Sequence, residues 1–138
     1  MEAIKLPVKA LILDDEPDIV EILTIVGEEM PDFKMLKSTS PVTALELIRK
    51  EMIRVVITDI NMPELSGPRL IQECASLPWN IDFIVISAIP DLGLAFDCFN
   101  LGAVRTILKP IDFDKIQESL QLSLKKIQEW NEIVLKYA

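Results

Sequence analysis

The 138-residue chain contains no histidine, which excludes a histidine nucleophile, base or phospho-carrier within it and removes the commonest transition-metal ligand. Cysteine is nearly as scarce. Cys74 and Cys98 fall inside helical patterns without metal-ligand spacing, so they read as buried free thiols. Basic residues are outnumbered, 14 Lys and Arg against 22 Asp and Glu for a net charge of -8. Such a balance repels a phosphate backbone, and no direct nucleic acid partner is expected. No apolar run approaches the ~18 residues of a membrane span. The opening "MEAIKLPVKALIL" also lacks the basic start, long apolar stretch and small-residue cleavage site of a secretory signal. The expectation is a cytoplasmic protein with no membrane partner. Half of the residues are hydrophobic, enough for one ordinary domain with a real core.

Five short runs rich in Val, Ile and Leu recur: "KALIL" (9–13), "FKMLKS" (33–38), "RVVIT" (54–58), "DFIVIS" (82–87) and "VRTIL" (104–108). Each has strand length. Between them the apolar spacing turns helical, with one stripe through Ile19, Ile22, Leu23, Val26 and Met30. A second runs through Leu45, Ile48 and Met52, behind the Ser40-Pro41 start signal. A third helix is expected after Gly67-Pro68, a fourth from about Asp91 to Leu101 closing at Gly102, and a fifth from near Asp112. Near-continuous apolar strands alternating with helices predict a doubly wound α/β fold, a five-stranded parallel sheet covered on both faces.

In such sheets ligands bind outside the carboxyl ends of the strands, where strand order reverses. Those ends carry Asp14 and Asp15, Asp59, Ser87 and Lys109. Singly, each has an ordinary role: a helix cap for Asp14 or Asp15, a turn for Asp59, a cap for Ser87, a solvated charge for Lys109. Together they predict three carboxylates converging with a hydroxyl and an ammonium. Two like charges ~4 Å apart repel by ~4 kcal/mol at an effective dielectric of ~20. The cluster therefore calls for protons or a cation. Without histidine or paired thiolates, the oxygen donors favour Mg2+ over zinc. Metal and ammonium could then neutralise an incoming phosphoryl group, for which a carboxylate can be the covalent acceptor.

The stretches "LILDDEPDI", "VVITDINMPELSG", "FIVISA" and "LGAVRTILKPID" resemble, in order, the motifs of the receiver domain of two-component response regulators, over residues 8–125. The resemblance implies a flavodoxin-like (βα)5 fold. It makes Asp59 the phosphoacceptor, Asp15 a direct Mg2+ ligand, Asp14 a ligand acting largely through water, and the backbone carbonyl of Asn61 a further ligand. It also implies that the Ser87 hydroxyl turns toward the phosphoryl group, that Lys109 pairs with it, that the Lys109-Pro110 bond is cis, and that Gly67 ends the loop after the acceptor. The implied donor is a sensor histidine kinase or phosphotransfer protein. No turnover of an external metabolite is expected, only self-phosphorylation and self-dephosphorylation. A phosphorylation-independent interaction module is the alternative. A haloacid-dehalogenase-like phosphatase fits less well, because it needs an Asp where this chain has Asn61.

Two features depart from the family pattern. Where many receivers carry Tyr or Phe three residues before the lysine, this chain has Thr106, read either as a core-facing strand residue or as a smaller substitute leaving room for Phe96 or Phe99. Those two phenylalanines are expected to pack within the fourth helix. The second departure is length: residues 113–138 contain no glycine or proline and predict one helix of about 25 residues, longer than the sheet requires. Residues 1–125 are expected to form the receiver and 126–138 an extension. Leu120, Leu124, Ile127, Trp130, Val134 and Tyr137 follow spacings of three or four. That seam fits a projecting coiled-coil homodimer, a connector into an output domain missing here, or a helix folded back on its own domain.

Overall fold

The computed structural model describes residues 2–137. Its strands are β1 (Val8–Leu13), β2 (Phe33–Ser38), β3 (Val55–Asp59), β4 (Asp82–Ser87) and β5 (Arg105–Leu108). They alternate with helices α1 (Pro17–Glu28), α2 (Pro41–Glu51), α3 (Gly67–Cys74), α4 (Leu92–Asn100) and α5 (Phe113–Tyr137). The strands form one parallel sheet in the order β2-β1-β3-β4-β5, as the alternation predicts. Strand order reverses beside β1, and Leu13 stands next to Thr58, so the residues that follow, Asp14 and Asp59, emerge side by side.

Alternate residues of the strands feed two cores. Leu11, Val56, Val85 and their neighbours pack under α2, α3 and α4. Ile12, Ile57, Ile84 and Ile107 pack under α1 and α5. The central strands are buried on both faces, which accounts for their unbroken apolar character. The helical stripes differ from expectation in detail. In α1 the buried face is Val20, Leu23 and Gly27 with Thr24, whose hydroxyl donates to the Val20 carbonyl, and Ile22 is exposed. Met52 ends α2 as an exposed left-handed cap at φ 52°, so chain reversal rather than packing sets its place.

The fifth helix is a single 25-residue element, and a boundary at residue 125 falls inside it. Ile127 belongs to the core beneath it and Val134 is also buried. The N-terminal segment lies against its distal half: Asn131 accepts from the Ile4 N–H and donates to the Ile4 carbonyl, while the Trp130 indole donates to the Glu2 carbonyl. The inner part of the seam is thus covered by the chain itself, where the sequence suggested a projecting helix. Leu135 and Tyr137 remain exposed. Ala138, assigned to the same helix, lies outside the described residues. None of the described helices is long and apolar enough to cross a membrane.

Candidate phosphoacceptor and cation site

The carboxyl ends of β1 and β3 bring oxygen atoms of Asp14, Asp15 and Asp59 to within 4.8 Å of one another. Asp14 is 1% exposed and Asp59 7%, while Asp15 lies at the surface. One oxygen of Asp14 accepts the Glu16 N–H at 2.9 Å, bracing the turn into α1, whose N-cap Glu16 makes no side-chain cap bond. Its other oxygen is buried and has no hydrogen-bond partner among the described residues. An orphaned buried carboxylate oxygen is costly. Burial pushes the Asp14 carboxyl up to about 6, the neighbouring Asp59 and Asp15 push the same way, and the Glu16 N–H and Lys109 oppose the rise.

Asp59 is held from several sides. The Ile60 N–H donates to it at 2.8 Å, and the Lys109 ammonium stands 3.6 Å from its other oxygen. Burial raises its carboxyl above the ordinary range despite Lys109 and the backbone N–H groups of Ile60 and Asn61, and Asp15 adds to the rise. Lys109 is positioned by backbone: its N–H donates to the Ser87 carbonyl at 2.9 Å, and the Lys109-Pro110 bond is cis, as the resemblance implies. The loop after Asp59 is closed by Gly67, whose N–H donates to the Ile60 carbonyl at 2.8 Å. A Cβ there would meet Ile60 Cγ1 at 3.0 Å and Cys98 Sγ at 3.2 Å, so close approach demands the glycine.

The donor set is three hard carboxylate oxygens, one of them without a partner, with an ammonium beside it. Zinc-type ligands are missing, since both cysteines are buried free thiols whose pKa burial pushes up to about 11, away from the thiolate form. The residues fit a small divalent cation such as Mg2+.

A family model described as the response regulator receiver domain matches residues 10–121. This chain belongs to that family. Among curated relatives it is 31% identical over 118 residues to the response regulator protein PilR of Pseudomonas aeruginosa, covering 85% of this chain and 26% of PilR. It is also 26% identical over 113 residues to sporulation initiation phosphotransferase F of Bacillus subtilis, covering 82% and 90%. The chain thus spans about a quarter of PilR and most of the smaller relative. Among solved structures, a response regulator receiver domain protein from Clostridium thermocellum superposes with a TM-score of 0.81 at 24% identity, covering 89% of this chain and 98% of the other. The receiver domain of an HD domain-containing protein from Pseudomonas fluorescens Pf-5 gives 0.81 at 21%, covering 96% and 97%.

The remaining positions around the site of this receiver lie on β4, β5 and α4. Ser87 is fully buried, and its hydroxyl donates to the Ala88 carbonyl at 2.9 Å. Thr106 is not core-facing. It stands beside Val85 on edge strand β5 and is exposed. Nor do Phe96 and Phe99 pack inward. They are 63% and 67% exposed, while Ala95 and Cys98 make the buried face of α4.

One contact went unforeseen. A short 3-10 turn, Ile89–Asp91, precedes α4, and there Asp91 accepts from the Asn61 side chain at 3.2 Å. This ties the loop after Asp59 to the loop after Ser87. A contact across 30 residues leaves no local signal in the sequence.

Proposed function

We propose that this receiver accepts a phosphoryl group on Asp59 from the phosphohistidine of a sensor histidine kinase or phosphotransfer protein, in a Mg2+-dependent reaction. The observation that carries the reading is the juxtaposition of three carboxylates, one with an orphaned oxygen, and the Lys109 ammonium 3.6 Å from Asp59. An Asp59 oxygen forms the new P–O bond while the P–N bond to the donor imidazole breaks, and the electron pair of that bond stays on the imidazole nitrogen. Asp14, Asp15, Asp59 and the Asn61 carbonyl would hold Mg2+, which supplies positive charge opposite the phosphoryl oxygens. Lys109 stabilises the same oxygens by charge-assisted hydrogen bonding. Hydrolysis of the aspartyl phosphate resets the switch, and no external metabolite is turned over. The chain works in the cytoplasm.

Signalling follows from two bonds around the site, one that breaks and one that transmits. The Ser87 hydroxyl leaves the Ala88 carbonyl to bond the phosphoryl group, and the Asn61–Asp91 link passes the change to the start of α4. Thr106 is small, β-branched and exposed, so no ring rotates inward from β5. Ile89, Leu92, Phe96 and Phe99 give this region an exposed apolar surface, suited to an output domain or protein partner. Because those side chains are already exposed in the unphosphorylated chain, a second reading stands: a partner that docks there without phosphorylation.

Intact-mass measurement after incubation with acetyl phosphate decides between them. The expected result is one Mg2+-dependent adduct; no adduct on the folded protein favours the second reading. Beryllofluoride, a phosphoryl mimic, should shift NMR signals of Ser87–Asp91, and shifts confined to Asp14, Asp15 and Asp59 would remove the proposed switch.

A further inference from the structure

The sheet edge opposite the acidic cluster holds a cavity that the phosphoryl chemistry does not use. Its volume is about 570 Å3, within the range of sites that enclose small organic molecules. Arg54 and Asp82, at the amino ends of β3 and β4, form one side, and Lys126, Ile127, Trp130 and Ile133 of α5 form the other. The Asn131 bonds to Ile4 and the Trp130 bond to Glu2 hold the N-terminal segment across the same region. The apolar wall is thus a built surface.

The charges of the cavity do not cancel where they stand. Asp82 is buried and already matched, taking an ion pair from Lys126 and a hydrogen bond from the Asn80 amide. Glu129 sits on the exposed rim. Arg54 is half-buried, yet among the described residues no carboxylate lies within 4 Å of its guanidinium and its side chain makes no hydrogen bond, in a chain with 22 acids. Burial also holds the guanidinium below its ordinary value. An arginine fork offers parallel N–H donors that match a carboxylate, and beside apolar walls such a bond is worth more than in open water.

We propose that this cavity binds a small amphipathic monoanion, a carboxylate carried on an aromatic or aliphatic body. Arg54 engages the carboxylate, and Trp130, Ile127 and Ile133 cover the body. The ligand bridges α5 to the sheet, so binding stabilises the distal half of the helix by mass action. Nothing here depends on the reading of Asp59.

The test is an NMR titration of the full chain with 4-phenylbutyrate to about 10 mM, a range that covers weak millimolar affinity, alongside its uncharged amide. Saturable shifts are expected at the Trp130 indole N–H and around Arg54 and Lys126. The amide should bind at least about tenfold more weakly, and Arg54→Gln should weaken carboxylate binding to a similar extent. Ile133→Glu, at a half-exposed wall position, should do the same by placing a like charge beside the ligand. The proposal is overturned by absence of saturation, by equal binding of amide and carboxylate, by undiminished binding in folded Arg54→Gln or Ile133→Glu, or by shifts confined to Lys109 or to the Phe96 and Phe99 face.

Discussion

Asp82 at the amino edge of the sheet and Asp14 at the carboxyl edge are about equally buried, 4% and 1% exposed, but their surroundings differ in kind. Asp82 is paired with Lys126 and bonded by Asn80. Asp14 has two carboxylate neighbours, a single backbone N–H on one oxygen and nothing on the other. Both sites suit a sheet edge, yet only the first is electrostatically complete. A carboxylate matched by its own chain stabilises the fold, whereas one left unmatched gives up stability to keep a place for a ligand.

The largest effect expected of any single change comes from the incomplete edge. Asp59→Asn, nearly isosteric, should lower acetyl phosphate labelling by about 100-fold or more, because an amide is no phosphoryl acceptor. Intact mass reads the outcome, and labelling equal to the native chain would end the proposed chemistry. Stability should barely suffer, since the change relieves repulsion.

Breaking the complete edge should do the reverse. Lys126→Met strands the buried Asp82 with Asn80 alone, a loss of about 2 kcal/mol in denaturant unfolding, while the labelling rate at Asp59 stays within about twofold. An equal loss of labelling would show that the two edges are not independent.

The comparison sharpens at Asp14. Asp14→Asn should raise metal-free stability at pH 7 by about 1 kcal/mol and reduce Mg2+-dependent labelling; if stability falls instead, Asp14 is structural. The smallest effect is the pH dependence of the native chain. Because the Asp14 carboxyl is raised from the usual 3.8 to about 6 on folding, the folded state binds more protons than the unfolded chain between those values. The contribution of Asp14 to stability is then fully present below about 4 and is lost as pH rises through 6. Thermal unfolding in EDTA should show this decline. Added Mg2+ should flatten it, and Asp14→Asn should remove most of it.

Local chemistry made much of this protein legible without a structure. Val, Ile and Leu runs at strand length, Pro41 behind Ser40, and Gly102 after α4 are short-range signals, and all five strands emerged within a residue or so of where those signals put them. The acidic pair, Asp59, Ser87 and Lys109 could be placed at strand ends because a parallel sheet sends every such end to the same edge. Periodicity was a poorer guide to which helical residues face inward: a stripe broader than the buried contact leaves its border undecided, and Ile22, Phe96 and Phe99 fell on the outer side. Only the tertiary structure set β1 beside β3, leaving an oxygen of Asp14 without a partner. It alone turned the Ser87 hydroxyl to Ala88, joined Asn61 to Asp91, and laid the N-terminal segment along α5 so that Arg54 faces an apolar wall. Each of these depends on contacts between residues far apart in the chain, whose positions follow from packing the whole sheet rather than from any local run of side chains.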